Sequence, residues 1–323
     1  MTKTIVNATV FNALGRHGVV IALALLLLFG ALRYEHFLGL FNISTVLRYN
    51  SMFALVALGM CFVIMTGGID LSVGSTAALG SVVAALLSPY GVVAGTLGGI
   101  CAGLVIGCIN GLIVTRLQIL PFITTLATML AASGSALLLA KNQSVSVSYE
   151  SGFTELGQGD FYDLPIPALI AAAFYIVASL VLNLTSSGRT VLAVGGNEDA
   201  SRLMGLRTDR IKFLVYLASG GLAGLAGVIL ASQFGAGQPI EGVGWELFAI
   251  ASVVVGGTLL TGGVGSVGAT LAGVLLLGLI FNILNFENGL GWISLSAYWQ
   301  SVIRGLFLLV VVILQARLAR QKA

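Results

Sequence analysis

Charge is what this chain has least of. Of its 323 residues only 8% are Asp, Glu, Lys or Arg, while 58% are hydrophobic. A soluble domain carries about 25% charged residues. So little charge cannot cover a water-exposed surface, and most of that surface has to face lipid. Cysteine is scarce as well. Cys61, Cys101 and Cys108 lie inside apolar runs, with no CxxC and no neighbouring His pair, which reads as helix packing rather than a redox or metal site. His17 and His36 are isolated, and no GxSxG or HExxH occurs, so no catalytic constellation is found and no metal site is expected. No GxxxxGK(S/T) phosphate loop is present, so the chain does not bind ATP in that way. Intramembrane acid–base pairs are missing, which argues against a proton relay and ion-coupled transport. The net charge of +3 is modest and reflects loop charges that orient helices, so nothing points to a nucleic-acid partner.

What is present is a series of apolar runs, each close to a bilayer span of about 20 residues, with room for about ten. They fall at roughly 18–34, 49–66, 74–88, 92–115, 121–140, 166–184, 212–233, 246–260, 267–285 and 298–316. The expected fold is an all-α membrane protein with about ten transmembrane helices, a single transmembrane domain over 1–323. Pro89, Pro121, Pro165, Pro167 and Pro239 fall between spans or in a first turn, where a missing N–H costs little. No small-residue cleavage site follows the N-terminal segment, so the first run, about Val19 to Leu32, is expected to be a retained helix.

Lys and Arg set the orientation. Arg189, Arg202, Arg207, Arg210 and Lys212 follow the sixth span; Lys3 and Arg16 precede the first; Arg317, Arg320 and Lys322 follow the last. An even number of spans places all three segments, and so both termini, in the cytoplasm. The loop from Lys141 to Asp163 holds one Lys against Glu150, Glu155, Asp160 and Asp163, and suits the outer face. Arg33 and Arg48, placed in the first outer loop, are the exceptions.

Glycine recurs with a purpose. Gly95, Gly99, Gly103, Gly107 and Gly111 form a flat strip on one helix, and Gly220, Gly224 and Gly227 do the same on another. Such strips serve close static packing or sliding contact during transport. The turn from Thr66 to Gly74 (TGGIDLSVG) is echoed by Thr261 to Gly268 (TGGVGSVG), through repeated halves or convergence on one kind of turn.

Asp70 sits in that first Gly-flanked break between apolar runs, a broken-helix motif. A carboxylate at membrane depth needs a partner or water. Asp70 either gates a path at the cytoplasmic mouth or fixes the turn as a cap, and Ser72 is placed to cap the next helix. A second candidate is the cytoplasmic loop of about 185–212. There Asn197 is a good N-cap, Glu198 and Asp199 complement a positive helix end, and Gly205 can terminate the helix. The spacing predicts a short helix outside the bilayer that offers Leu203 and Met204, with Arg202 beside them, either as a docking element or as an ordinary connector. Asn282 and Asn285 either touch a polar cargo or hold helices together, and Arg304 is expected to snorkel or pair with an acid.

Three segments together resemble the permeases of ribose-type ABC sugar importers: Gly67 to Gly74 (GGIDLSVG), Gly188-Arg189 with Gly195 to Glu198 (GGNE), and Ala251 to Thr258 (ASVVVGGT). The similarity runs from about span two to span ten. Gly242 to Leu247 (GVGWEL) with Thr261 to Gly265 resembles the galactofuranose-type members most, although Phe248 stands where the family usually has Asp. The resemblance implies a multi-pass bacterial inner-membrane permease without cofactor or enzymatic activity of its own. It forms the translocation path with a second permease subunit, the same or a related chain. A periplasmic sugar-binding protein delivers the monosaccharide, and a tandem-domain ABC ATPase binds the ATP. It also implies that Asn197 to Gly205 form the ATPase-coupling helix, and it leaves both roles of Asp70 open. The rival reading is an ion-coupled secondary transporter of a small polar solute.

Overall fold

The computed structural model of the chain describes residues 2–289 and positions 299, 302, 303, 305, 306 and 309, with side chains from Gly18 onward. The expected span 298–316, with Arg304, falls almost wholly outside the described residues, and so does the tail with Arg317, Arg320 and Lys322. In chain order come α1 (Thr2–Arg33), α2 (Leu40–Met65), α3 (Val73–Leu87), a 3-10 turn (Ser88–Tyr90), α4 (Val92–Arg116) and α5 (Pro121–Leu139). A long loop follows, with β1 (Val145–Ser146), α6 (Glu155–Gln158), β2 (Asp160–Phe161) and β3 (Leu164–Pro165). The second half holds α7 (Ile166–Leu184), α8 (Ser186–Gly196), α9 (Glu198–Leu203), α10 (Thr208–Phe234), β4 (Ala236–Gly237), α11 (Trp245–Val255) and α12 (Val267–Gly289). Pro121 opens α5 and Pro167 sits in the first turn of α7, as their missing N–H groups require.

Seven described helices are long and apolar enough to cross a membrane: α2, α3 with its 3-10 turn, α4, α5, α7, α10 and α12. Two apolar helices are shorter, Gly18–Arg33 within α1 and α11. Two helices start earlier than the sequence expectation: α1 at Thr2 rather than near residue 18, and α2 at Leu40 rather than near residue 49. Arg48 is therefore inside a helix and not in a loop. The helix tolerates it because its guanidinium is satisfied: Nη2 meets Asp160 Oδ1 at 2.6 Å and Nη1 donates to Gly157 O at 2.8 Å.

α10 forms the centre, packed on α4, α3 and α2. Its contact with α4 is backbone to backbone. A Cβ on Gly103 would lie 2.8 Å from Gly224 Cα, and one on Gly220 would lie 2.7 Å from Gly107 Cα. No larger residue leaves room for that approach, and between helices in lipid such proximity supplies the attraction. Gly227 departs from its row: it faces α3, where a Cβ would lie 2.7 Å from Ser81 N.

The long loop folds over one end of these helices. β1 pairs antiparallel with β4, Val145 opposite Gly237. Phe153 is fully buried among Ala84, Ala85, Val228 and Ala231. Ser232 Oγ donates to Phe153 O at 2.7 Å and accepts from Gly157 N at 2.6 Å, so the loop's polar backbone is paired where it meets α10.

Candidate functional site

The seven residues between α2 and α3 carry the first cluster. Asp70 Oδ1 accepts from Ser72 N at 3.0 Å and from Ser72 Oγ at 2.6 Å, and Oδ2 accepts from Ser219 Oγ of α10 at 3.0 Å. Ser72 Oγ accepts in turn from Asn110 Nδ2 of α4 at 2.9 Å, and Asn110 Oδ1 accepts from Thr128 Oγ1 of α5 at 2.6 Å. One polar chain thus crosses the α3 turn, α4, α5 and α10. Asp70, Ser72, Asn110 and Ser219 are each no more than 1% exposed. Such enclosure favours turn-holding over contact with cargo, because every atom of the chain already has a partner within the fold.

The capping role expected of Ser72 is corrected. Its side chain makes no cap hydrogen bond to α3 and turns back to Asp70 instead. The hydroxyl donates to the Asp70 carboxylate and its oxygen accepts from Asn110 Nδ2, so the oxygen is turned into the polar chain and away from the helix-end N–H groups. Asp70 itself accepts from the N–H two residues on, the contact by which an acid holds a turn. Sequence reasoning missed Ser219, Asn110 and Thr128. Their signal is available in retrospect: polar side chains inside apolar helices need partners, and Asn110 and Ser219 each adjoin a glycine of the packing strips.

The roles of Asp70 can be separated by two variants. Asp70→Ala is expected to lower the stability of the purified permease by about 1–3 kcal/mol for each donor left without an acceptor. Asp70→Asn retains an acceptor for Ser72 and is expected to melt near the parent, with uptake largely kept. Thermal unfolding in detergent and transport in liposomes read both. Equal melting of the Ala and Asn variants would reject the turn-holding role, and loss of uptake by Asp70→Asn at parental stability would assign the gate instead.

The second cluster is the segment after α7. Sequence reasoning expects one short helix there; the structure has two, because α8 continues to Gly196 before α9 starts. Asn197 caps α9 as expected, its Oδ1 accepting from Ala200 N at 2.9 Å. Glu198 and Asp199 occupy the first turn. Gly205 adopts a left-handed φ of 81° and closes the helix: Gly205 N donates to Arg202 O at 3.0 Å and Leu206 N to Ser201 O at 3.1 Å. The helix is held on one side only. Glu198 pairs with Lys212 of α10 and with Arg202 at 3.3 Å, and Arg202 reaches Asp209 at 3.0 Å. On the other side Leu203 is 90% exposed and Met204 70% exposed.

α8 joins this helix to the membrane elements through glycine. Gly195 sits where a Cβ would fall on the Met65 carbonyl oxygen at the end of α2, and 2.5 Å from Gly263 N. Gly263 N donates to Met65 O at 3.0 Å. A Cβ on Gly262 would lie 2.8 Å from Gly67 N and 2.9 Å from Gly195 O. The two echoing Thr-Gly-Gly turns, after α2 and before α12, therefore meet each other and the end of α8 at one backbone junction. Asp70 and α9 share this end of α2. Asn282 does not: its amide exchanges hydrogen bonds with Asn42 in the first turn of α2, at 2.8 and 3.2 Å, and so ties α12 to the opposite end. Asn285 is exposed one turn further along α12. Among the described residues no group of three or more His, Cys, Asp or Glu could hold a metal ion.

Residues 42–312 match the family model described as branched-chain amino acid transport system / permease component. The ribose import permease protein RbsC of Bacillus subtilis (strain 168) is 38% identical over 303 residues, covering 93% of this chain and 92% of that protein. The L-arabinose transport system permease protein AraH of Escherichia coli (strain K12) is 36% identical over 300 residues, 92% of this chain and 89% of that protein. The L-arabinose ABC transporter permease protein AraH of Azospirillum brasilense is 35% identical over 306 residues, 94% and 88% of the two chains. No solved structure matches the chain.

Proposed function

The chain belongs to the family of branched-chain amino acid transport system permease components, and from that premise we propose how it works as the membrane permease of an ATP-driven sugar importer. It is a multi-pass protein of the bacterial inner membrane and not an enzyme. Its relatives named for ribose and arabinose point to a monosaccharide cargo, and the galactofuranose-like segment at Gly242 to Leu247 adds a third pentose or hexose to try. A periplasmic binding protein delivers the sugar and a cytoplasmic ATPase supplies the energy. In our reading the chain has about ten spans, forms one transmembrane domain over 1–323, and pairs with a second permease subunit to make the path. The TGGIDLSVG turn is the broken-helix element of that path. The ATPase has two fused nucleotide-binding domains and binds all the ATP; the permease needs no cofactor.

The observation that carries the mechanism is α9: a helix capped at both ends, with an exposed apolar pair and its base set in the glycine junction. Leu203 and Met204 seat in the ATPase, and α8 passes the movement to the two turns that it touches. Asp70 and Ser72 hold one of those turns against α4, α5 and α10. Asn282 and Asn285 lie at the far end, where Asn282 holds α12 to α2. The test is reconstitution with ATPase and binding protein in liposomes. Sugar uptake is expected to need ATP inside and to survive an uncoupler; uptake that follows an ion gradient without ATP would establish the secondary transporter instead.

Orientation gives a further expectation. Tyr162 is 87% exposed in the long loop, and Asp199 is exposed on α9. In a chain with Cys61, Cys101 and Cys108 replaced, Tyr162→Cys should react with an impermeant thiol reagent from the periplasm and Asp199→Cys only after the membrane is opened. The reverse pattern would invert the topology and with it the cytoplasmic placement of both termini.

A further inference from the structure

A crevice of about 460 Å³ opens between α7 and α10, floored by Leu58 and Phe62 of α2. Its walls include Phe174 and Val177 of α7 and Leu214 and Ala218 of α10, and Ser187 is the one polar lining residue among those described. Hydroxyl-rich cargo finds a single side-chain hydroxyl, that of Ser187, on such walls, too little to hold a sugar, so the crevice is not a sugar path. Protein interiors rarely leave a void this large unfilled. Val177 is 56% exposed and Leu214 44%, so the opening faces outward at a depth where the surroundings are acyl chains. The lining runs along α10 from Ile211 to Leu225, about 21 Å at 1.5 Å per residue. One leaflet of hydrocarbon is about 15 Å deep, so an acyl chain entering at the membrane surface can follow the crevice inward.

The charge at its mouth selects the lipid. Arg210 precedes Leu214 by four residues, one turn further along the lining face of α10, and Arg207 is the N-cap residue just before the helix. Both are exposed, and neither forms an ion pair with a described residue, in contrast to Arg202 and Lys212 nearby. Basic groups at the cytoplasmic end of an interhelical gap attract anionic headgroups. We propose that this crevice binds an anionic diacyl phospholipid, one acyl chain between α7 and α10 and the phosphate at Arg207 and Arg210. The proposal rests on the proposed topology, which puts Arg207 and Arg210 on the cytoplasmic side of the bilayer, and it stands or falls separately from the cargo.

The test is native mass spectrometry of the purified permease after exchange into mixed micelles of phosphatidylglycerol and phosphatidylcholine with identical chains. The parent should retain one phosphatidylglycerol with a preference of roughly tenfold or more, since each arginine near a phosphate contributes substantially at the surface. The double variant R207Q/R210Q should lose the preference. Ala218→Phe, which fills the crevice, should reduce retention of both lipids; Val177→Trp does so from an exposed position that cannot disturb the core. Equal retention of the two lipids by the parent, or an unchanged preference in R207Q/R210Q, would overturn the proposal. So would disulfide cross-linking of Val177→Cys between two permease copies in the assembled transporter, which would give the crevice to the second subunit.

Discussion

Leu203→Asp is expected to strip the ATPase from the permease while leaving the permease itself intact. Leu203 is 90% exposed, so in the isolated chain the substitution removes no packing and buries no charge. In the complex we propose, the same side chain enters an apolar seat on the ATPase. Burying a leucine there contributes roughly 1.5–3 kcal/mol, and forcing an unpaired carboxylate into the seat costs several more. The combined loss in affinity is on the order of a hundredfold or more. Arg202→Ala is the contrast. Its guanidinium already serves Glu198 and Asp209 within the chain, and exposed pairs of that kind contribute less than about 1 kcal/mol. Copurification of the ATPase should therefore collapse for Leu203→Asp and change little for Arg202→Ala, with uptake falling in parallel. Docking of the binding protein on the outer face should persist in both. If Leu203→Asp retains the ATPase and transports at the parental rate, α9 is not the seat.

How much of this was legible beforehand depends on the range of the interactions involved. Helix α7 is read from sequence to its residue bounds, because its apolar run is unbroken and proline marks its start. The cap at Asn197 and the stop at Gly205 are equally legible, since both act within one turn of backbone. The start of α2 is not, because Asn42, Arg48 and Asn50 interrupt the apolar run and their partners lie elsewhere. Arg48 is satisfied by Asp160, more than a hundred residues away in sequence, and no local rule contains that pairing. Asp70 stood out as an isolated acid, yet its partner Ser219 did not, for the same reason of distance. The glycine strips announced close packing without naming the partner of each residue; Gly227 turned out to face α3. The two Thr-Gly-Gly turns were visible as an echo, but their meeting with Gly195 is a matter of assembled backbone alone.

That meeting yields the other large effect. Gly195→Ala is expected to abolish coupled transport, whereas Gly196→Ala, its neighbour in α8, should be silent. A Cβ on Gly195 falls on the Met65 carbonyl, an atom already accepting from Gly263 N at 3.0 Å, and the surrounding atoms are backbone that cannot swing aside. A Cβ on Gly196 meets nothing within 4 Å. Both changes raise helix propensity equally, so any difference between them comes from the junction. Relief of the clash requires α8 to part from α2 and from the turn before α12, and overpacking of this kind costs at least about 1–3 kcal/mol. The contact reaches only the last residue of α2 and the two turns, not the buried faces of the long helices, so folding and insertion should survive. Leu203 and Met204 remain exposed on the far side of α9, so the ATPase should still bind. The expected signature is an assembled complex that hydrolyses ATP with sugar uptake reduced tenfold or more. Measured together, ATPase retention, ATP turnover and uptake separate this outcome from simple misfolding, in which all three fall. Parental uptake by Gly195→Ala would show that the junction bears no part of the force between α9 and the membrane helices.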